Sequence, residues 1–253
     1  MARSYQELIK DLNFNLYPAA NRKFRHRVFI VHFFGGNQRK LLRHIRLLNQ
    51  VGLDVYAIDL SYRKHLVYKK IPSLKKEAFK VRNIWSQEIK EALDYIPGPV
   101  ITYGFSGPSA CLIEIAVQNK KVEGLISDSG PFTHLLQCNY NLAKVEFGLN
   151  KAWLRALSTL VMSPLWDLKH TEKLLKDLSL LPKATPYLSF QPMMDQVVPV
   201  EYMQDVFTRS KHQLNLSVCK INQAGHLEGL KKEPDKYRKA LQSWLNENFL
   251  TKR

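Results

Sequence analysis

The sequence offers little for covalent or metal cross-linking. Its three cysteines, Cys111, Cys138 and Cys219, are widely spaced, odd in number and form no C-x-x-C pair. That argues against a disulfide framework or a zinc site of ordinary ligand spacing, and makes a reducing cytoplasm the expected location. Long apolar runs are also missing, since no segment approaches the roughly 20 apolar residues of a spanning helix. The N-terminal stretch MARSYQELIKDLNFNLYPAANRK carries charges where a secretory signal needs an apolar core. The expectation is a soluble protein retained in the cell. Repeats and low-complexity tracts are absent.

Negative charge is scarce as well. There are 38 Lys and Arg against 22 Asp and Glu, a net charge of +16. Residues 1–70 alone hold 14 basic and four acidic side chains. Such a field suits a nucleic acid, an anionic membrane surface or an acidic substrate. No RNA-binding aromatic motif, zinc finger or helix-turn-helix pattern accompanies it, which argues against nucleic acid. A solvated basic face and a peripheral contact with an anionic membrane both remain open.

What is present is apolar patterning. With 45% apolar residues in 253, the chain can bury one large core. From Arg27 onward short continuous apolar runs alternate with longer helix-like stretches, as in a buried parallel sheet with crossover helices. The fold class is therefore α/β. Strands are expected at Val28–Phe33, Val55–Leu60, Val100–Gly104, Val122–Asp128, Tyr187–Gln191 and Leu214–Ile221. Helices are expected at Gln38–Val51, Leu74–Tyr95, Ser106–Asn119, Val200–Ser210 and Pro234–Phe249. The last has Pro at its start and Tyr237, Leu241, Trp244, Leu245 and Phe249 at helical spacing. Residues 129–184 break the alternation with a helix-rich insertion, read as a cap between core segments 1–128 and 185–253.

The strand VITYG runs into Gly104-Phe105-Ser106-Gly107-Pro108 and then at once into an apolar helix. A serine hydroxyl is a poor nucleophile, and a tight strand-to-helix turn exposes its Oγ where the helix N-terminus favours developing negative charge. Small residues two positions either side let such a turn form. Gly104 meets that need. Pro108 replaces the second glycine of G-x-S-x-G, at a first-turn position where proline's missing N–H has no partner to lose. A plain strand–turn–helix connection is the alternative.

Together with three other segments, this turn makes the chain resemble the α/β-hydrolases over residues 27–128 and 185–250. His32-Phe33-Phe34-Gly35-Gly36-Asn37 is similar to the family's H-G-x-G-G loop, with Phe33 in place of the first glycine. Met194-Asp195-Gln196-Val197-Val198-Pro199 resembles its D-x-x-V-P segment, and Ala224-Gly225-His226 its A-G-H loop. A dinucleotide-binding reading of the HFFGGN turn, with Asp59 about 20 residues on, fails for want of G-x-G-x-x-G.

The resemblance implies a mostly parallel sheet flanked by helices, with a helical cap inserted after the sixth-strand position. It implies Ser106 as nucleophile, His226 as base, Asp195 as the acid that orients it, and the backbone N–H groups of Phe34 and Gly107 as oxyanion hole. Asp128, ending VEGLISD, is the rival acid. His26, His32, His44, His65, His134, His170 and His212 are rival histidines, with His32 expected to buttress the oxyanion loop.

The implied function is hydrolysis of a small-molecule carboxylic ester through an acyl-enzyme, with neither a metal nor an organic cofactor expected. A thioesterase, C–C hydrolase, perhydrolase or non-catalytic binding protein on the same fold stays open. Apolar cap residues (Leu135, Leu136, Phe147, Trp153, Leu154, Leu157, Leu160, Met162, Leu165, Trp166) suggest an apolar acyl or aryl group. Phe33, Phe105, Trp153 and Trp166 are the candidate pocket residues.

Overall fold

A computed structural model describes residues 4–61, 80–210 and 214–250. Seven strands form one sheet: β1 (Asn15–Tyr17), β2 (Arg27–Val31), β3 (Asp54–Ile58), β4 (Val100–Phe105), β5 (Val122–Asp128), β6 (Pro186–Pro192) and β7 (Asn215–Ile221). Their order is β1-β3-β2-β4-β5-β6-β7. Only β1 runs antiparallel; every other pairing is parallel. The expected strands all form, with ends shifted by one or two residues. The three-residue edge strand β1 and the eight-residue helix before it, α1 (Tyr5–Leu12), capped by Ser4 Oγ accepting the Glu7 N–H, are additional to the expected elements.

Alternation along the strands divides the core between the two sheet faces. Phe29 and Val31 of β2 face one side, with α3 (Val81–Asp94) and α4 (Ser109–Gln118). Val28 and Ile30 face the other, with α2 (Gln38–Val51) and Leu241, Trp244 and Leu245. The helix over Gln38–Val51 forms as expected, its Asn37 side chain accepting the Lys40 N–H as an N-cap. The expected helix over Leu74–Tyr95 appears as α3, and its first residues, with His65 and His212, lie outside the described residues. The helix after the serine starts at Ser109 rather than Ser106, because residues 106–108 form the turn and Pro108 takes the N-cap position.

Residues 129–184 contribute α5 (Leu135–Val145), α6 (Ala152–Trp166) and α7 (His170–Leu180). In α7, Leu174 and Leu178 are fully buried in the core shared with α4. Arg82 of α3, fully buried, bonds Asp177 of α7 at 2.8 Å and Glu114 of α4 at 3.3 Å, so three helices share one guanidinium. The chain ends through α8 (Val200–Arg209), the short α9 (Gly229–Lys232) and α10 (Pro234–Phe249), whose buried residues are those expected from its spacing. Among the described residues no helix is long and apolar enough to cross a membrane.

Candidate active site

The carboxyl ends of β4, β6 and β7 bring the predicted residues together. Ser106 follows β4 in a left-handed conformation, φ +52°, which L-residues other than Asn and Asp seldom adopt. Its N–H donates to the Asp128 carbonyl at 2.9 Å, and its carbonyl accepts from Ser109 N–H at 3.2 Å. Two glycines leave room for this turn. A Cβ on Gly104 would meet Ser109 Cα at 3.0 Å, and one on Gly130 would meet the Ser106 carbonyl oxygen at 2.5 Å. Gly130 belongs to the chain leaving β5, so the support under the serine comes from the neighbouring strand.

The loops after β6 and β7 are tied by backbone bonds, Met193 N–H to Ile221 carbonyl and Met194 N–H to Ala224 carbonyl. This brings His226 to Asp195, with Nδ1 2.7 Å from Oδ2. The other carboxylate oxygen accepts the N–H groups of Val197 and Val198 at 2.9 and 2.8 Å, so the acid is fixed by its own loop. Since Oδ2 is an acceptor when ionised, Nδ1 carries a hydrogen and Nε2 is left basic. Ser106 and His226 line the same cavity.

Asp128 does not take this position. Its carboxylate is fully buried and receives Tyr237 Oη at 2.6 Å and Ser129 Oγ at 2.8 Å. Burial raises its pKa to about 6, although those two donors and the positive field of His226 pull the other way. Tyr237 in turn bonds Tyr103. Ser129 Oγ also accepts the N–H of Leu227, which has φ +60°. Asp128 thus anchors the residue next to His226 through Ser129.

His32 does buttress its loop. Leu60 N–H donates to Nε2 at 2.8 Å, so Nδ1 holds the hydrogen and donates to the Phe33 carbonyl at 2.7 Å. Burial lowers its pKa and keeps it neutral. Lys40 Nζ donates to the Gly35 carbonyl at 3.2 Å and lies 5.4 Å from the Phe33 ring centre. Phe34 and Gly107 both line the cavity with Ser106, and among the described residues nothing accepts the Gly107 N–H.

The cavity holds about 800 Å³. Its walls are mostly apolar, with Phe33, Phe34, Pro108, Phe132, Leu135, Leu142, Phe147, Met162, Leu165 and Trp166 among them, and Lys40, Asn139 and Glu146 as polar exceptions. Trp166 closes over the serine turn, its ring atoms 3.2 Å from where a side chain on Gly107 would begin. His170, weighed in the sequence only as a rival base, clamps it. Trp166 Nε1–H donates to Nδ1 at 3.0 Å, so Nε2 carries the hydrogen and donates to the Phe132 carbonyl at 3.0 Å. Burial depresses the His170 pKa to about 3, keeping the acceptor nitrogen free of a proton.

Two candidate pocket residues lie elsewhere. Phe105 points to the opposite sheet face, in phase with Tyr103, against which it stacks at 4.7 Å. Trp153, at the start of α6, is 62% exposed and does not reach the cavity. Among the described residues no group of three or more His, Cys, Asp or Glu is placed to hold a metal ion. All three cysteines are buried and free.

No protein-family model matches the chain, and no curated protein matches it. Solved structures do. An esterase of Pyrococcus furiosus aligns at 16% identity over 98% of this chain and 95% of its own, with a TM-score of 0.66. A monoacylglycerol lipase of Paleococcus ferrophilus aligns at 18% identity over 94% and 99%, TM-score 0.62. An alpha/beta hydrolase from a lagoon-sediment metagenome aligns at 17% identity over 92% and 95%, TM-score 0.61. At these identities the likeness is one of fold.

Proposed function

We propose that this chain, which has the α/β-hydrolase fold, is a serine hydrolase that cleaves a small carboxylic ester with an apolar acyl or aryl group. The observation that carries the reading is the pairing of His226 Nδ1 with Asp195 at 2.7 Å beside a serine held at φ +52° in the same cavity. A buried structural histidine needs no strained serine next to it. Esterase and lipase among the structural neighbours add support for the ester class.

In this reading Ser106 Oγ attacks the carbonyl carbon and passes its proton to His226 Nε2. The oxygen that becomes negative is received by the N–H groups of Gly107 and Phe34. One such donor is commonly worth about 3 kcal/mol of barrier. As the bond to the leaving oxygen breaks, His226 returns the proton to it. Water then repeats the sequence on the acyl-serine and frees Ser106. Asp195 holds the ring and stabilises its charged form. The apolar walls under α6 receive the acyl group, and we place the cap over them.

A series of p-nitrophenyl esters from two to sixteen carbons, run beside matched thioesters, tests this. The expected result is ester hydrolysis peaking at one chain length and lost in Ser106→Ala. Turnover surviving in Ser106→Ala, or confined to thioesters, contradicts it.

A further inference from the structure

Helix α6 turns most of its large apolar residues outward. Its buried positions are Trp166, over the serine turn, and two polar residues: Thr159 Oγ1 donates to the Arg155 carbonyl and Ser163 Oγ accepts Asn139 Nδ2 at 2.8 Å, while just past the helix Asp167 bridges Lys80 and Lys173 at 2.8 and 2.7 Å. Its outward positions are apolar. Trp153, Leu157, Leu160, Val161, Leu165 and, just beyond the helix, Leu168 are each more than half exposed, Leu160 at 70%. The other exposed positions between residues 152 and 168 are alanine or proline. An uninterrupted exposed apolar stripe of this length is rare on a free protein surface and marks a face made for another phase or partner.

We propose that this face docks on an anionic lipid surface. Charge selects the occupant. Exposed Lys151 and Lys169 bracket the stripe, and no exposed residue between them is acidic. The chain carries a net charge of +16, which attracts anionic lipid headgroups and sets two copies against each other. Shape points the same way: the stripe is that of a helix lying in a membrane interface, with Trp and Leu on the outward side and Lys at the ends.

Leu165 belongs both to this stripe and to the cavity wall, so the docked face runs on into the pocket. On the proposed hydrolase function, the substrate class becomes esters drawn from the membrane itself. The basic N-terminal third contributes long-range attraction to this contact, whereas α6 provides the anchor.

The test uses the full chain with vesicles of phosphatidylcholine and phosphatidylglycerol at 3:1. Trp85, Trp166 and Trp244 are buried, leaving Trp153 as the exposed one of four tryptophans, so a blue shift of emission on adding vesicles reports this face. The expected result is co-sedimentation with a blue shift that Trp153→Phe loses. The double substitution Leu157→Ser and Leu160→Ser should weaken binding at least about tenfold. It should leave hydrolysis of a soluble short-chain ester unchanged, which also shows that the variant folds. Absence of binding, binding that the double variant retains, or a dimer of the wild type that the same substitutions dissociate would overturn the proposal. Binding is read without turnover, so its failure and that of the serine chemistry are told apart.

Discussion

Helices α4 and α6 are of similar character in sequence and opposite in placement. Both are largely apolar. In α4, Ala110, Cys111, Leu112, Ile113 and Ile115 are buried against the sheet and against α3 and α7. In α6 the large apolar residues other than Trp166 mostly face outward, and serine, threonine and the aspartate that follows face in. The neighbours make the difference. Behind α4 lies a parallel sheet that only apolar side chains can fill. Behind α6 lie Asn139, Lys80 and Lys173, which satisfy polar groups and leave the apolar stripe without cover. Apolar spacing marks a helix with a face, and only its neighbours decide which face is turned inward.

The comparison is tested most strongly at the serine that α4 presents. Ser106→Ala should lower kcat by three to six orders of magnitude, roughly, while the far-ultraviolet circular dichroism and melting temperature stay near those of the wild type. A variant that loses activity only by unfolding would show the serine to be structural.

Next come the two apolar faces themselves. Ile113→Ala in α4 should destabilise by about 2–5 kcal/mol in urea unfolding, because it opens a cavity in a filled core. Leu160→Ala in α6 should stay within about 0.5 kcal/mol. Equal losses at the two sites would mean that the stripe on α6 is covered in solution, and the contrast between the helices would collapse.

The polar side of α6 has a pH signature. Burial raises the pKa of Asp167, but hydrogen bonds from Lys173, Lys80 and the Lys169 N–H outweigh it and hold the carboxyl at about 2. The folded value lies below the unfolded one of about 3.8, so this contribution to stability is present above about pH 4 and is lost as the pH falls toward 2. Unfolding of Asp167→Asn and wild type, followed from pH 6 to 2.5, should converge in the acid. A constant gap would assign the Lys80 and Lys173 bridges no part in holding α6.

The candidate site was legible where its chemistry is local in the chain. The serine turn, the D-x-x-V-P segment and the A-G-H loop each sit at a strand end, and strand ends are set by short apolar runs. What lay outside that reading depends on packing across elements. Gly130 matters because β5 adjoins β4, and His170 because it meets Trp166 one turn away across a helix junction. Phe105 was misplaced although alternation along β4 sets it in phase with Tyr103, away from the cavity. Trp153 was counted with the pocket, and Leu157 and Leu160 with the apolar cap, because their spacing cannot say which way α6 faces.

The central claim is that Ser106 is made nucleophilic by His226. The most direct measurement is intact-mass and peptide mapping after treatment with a fluorophosphonate, on the wild type and on His226→Ala. The account predicts one adduct, on Ser106, that forms at least about a hundredfold more slowly without the histidine. An unlabelled wild-type protein, or an adduct on Ser106 that forms equally fast in His226→Ala, would contradict it.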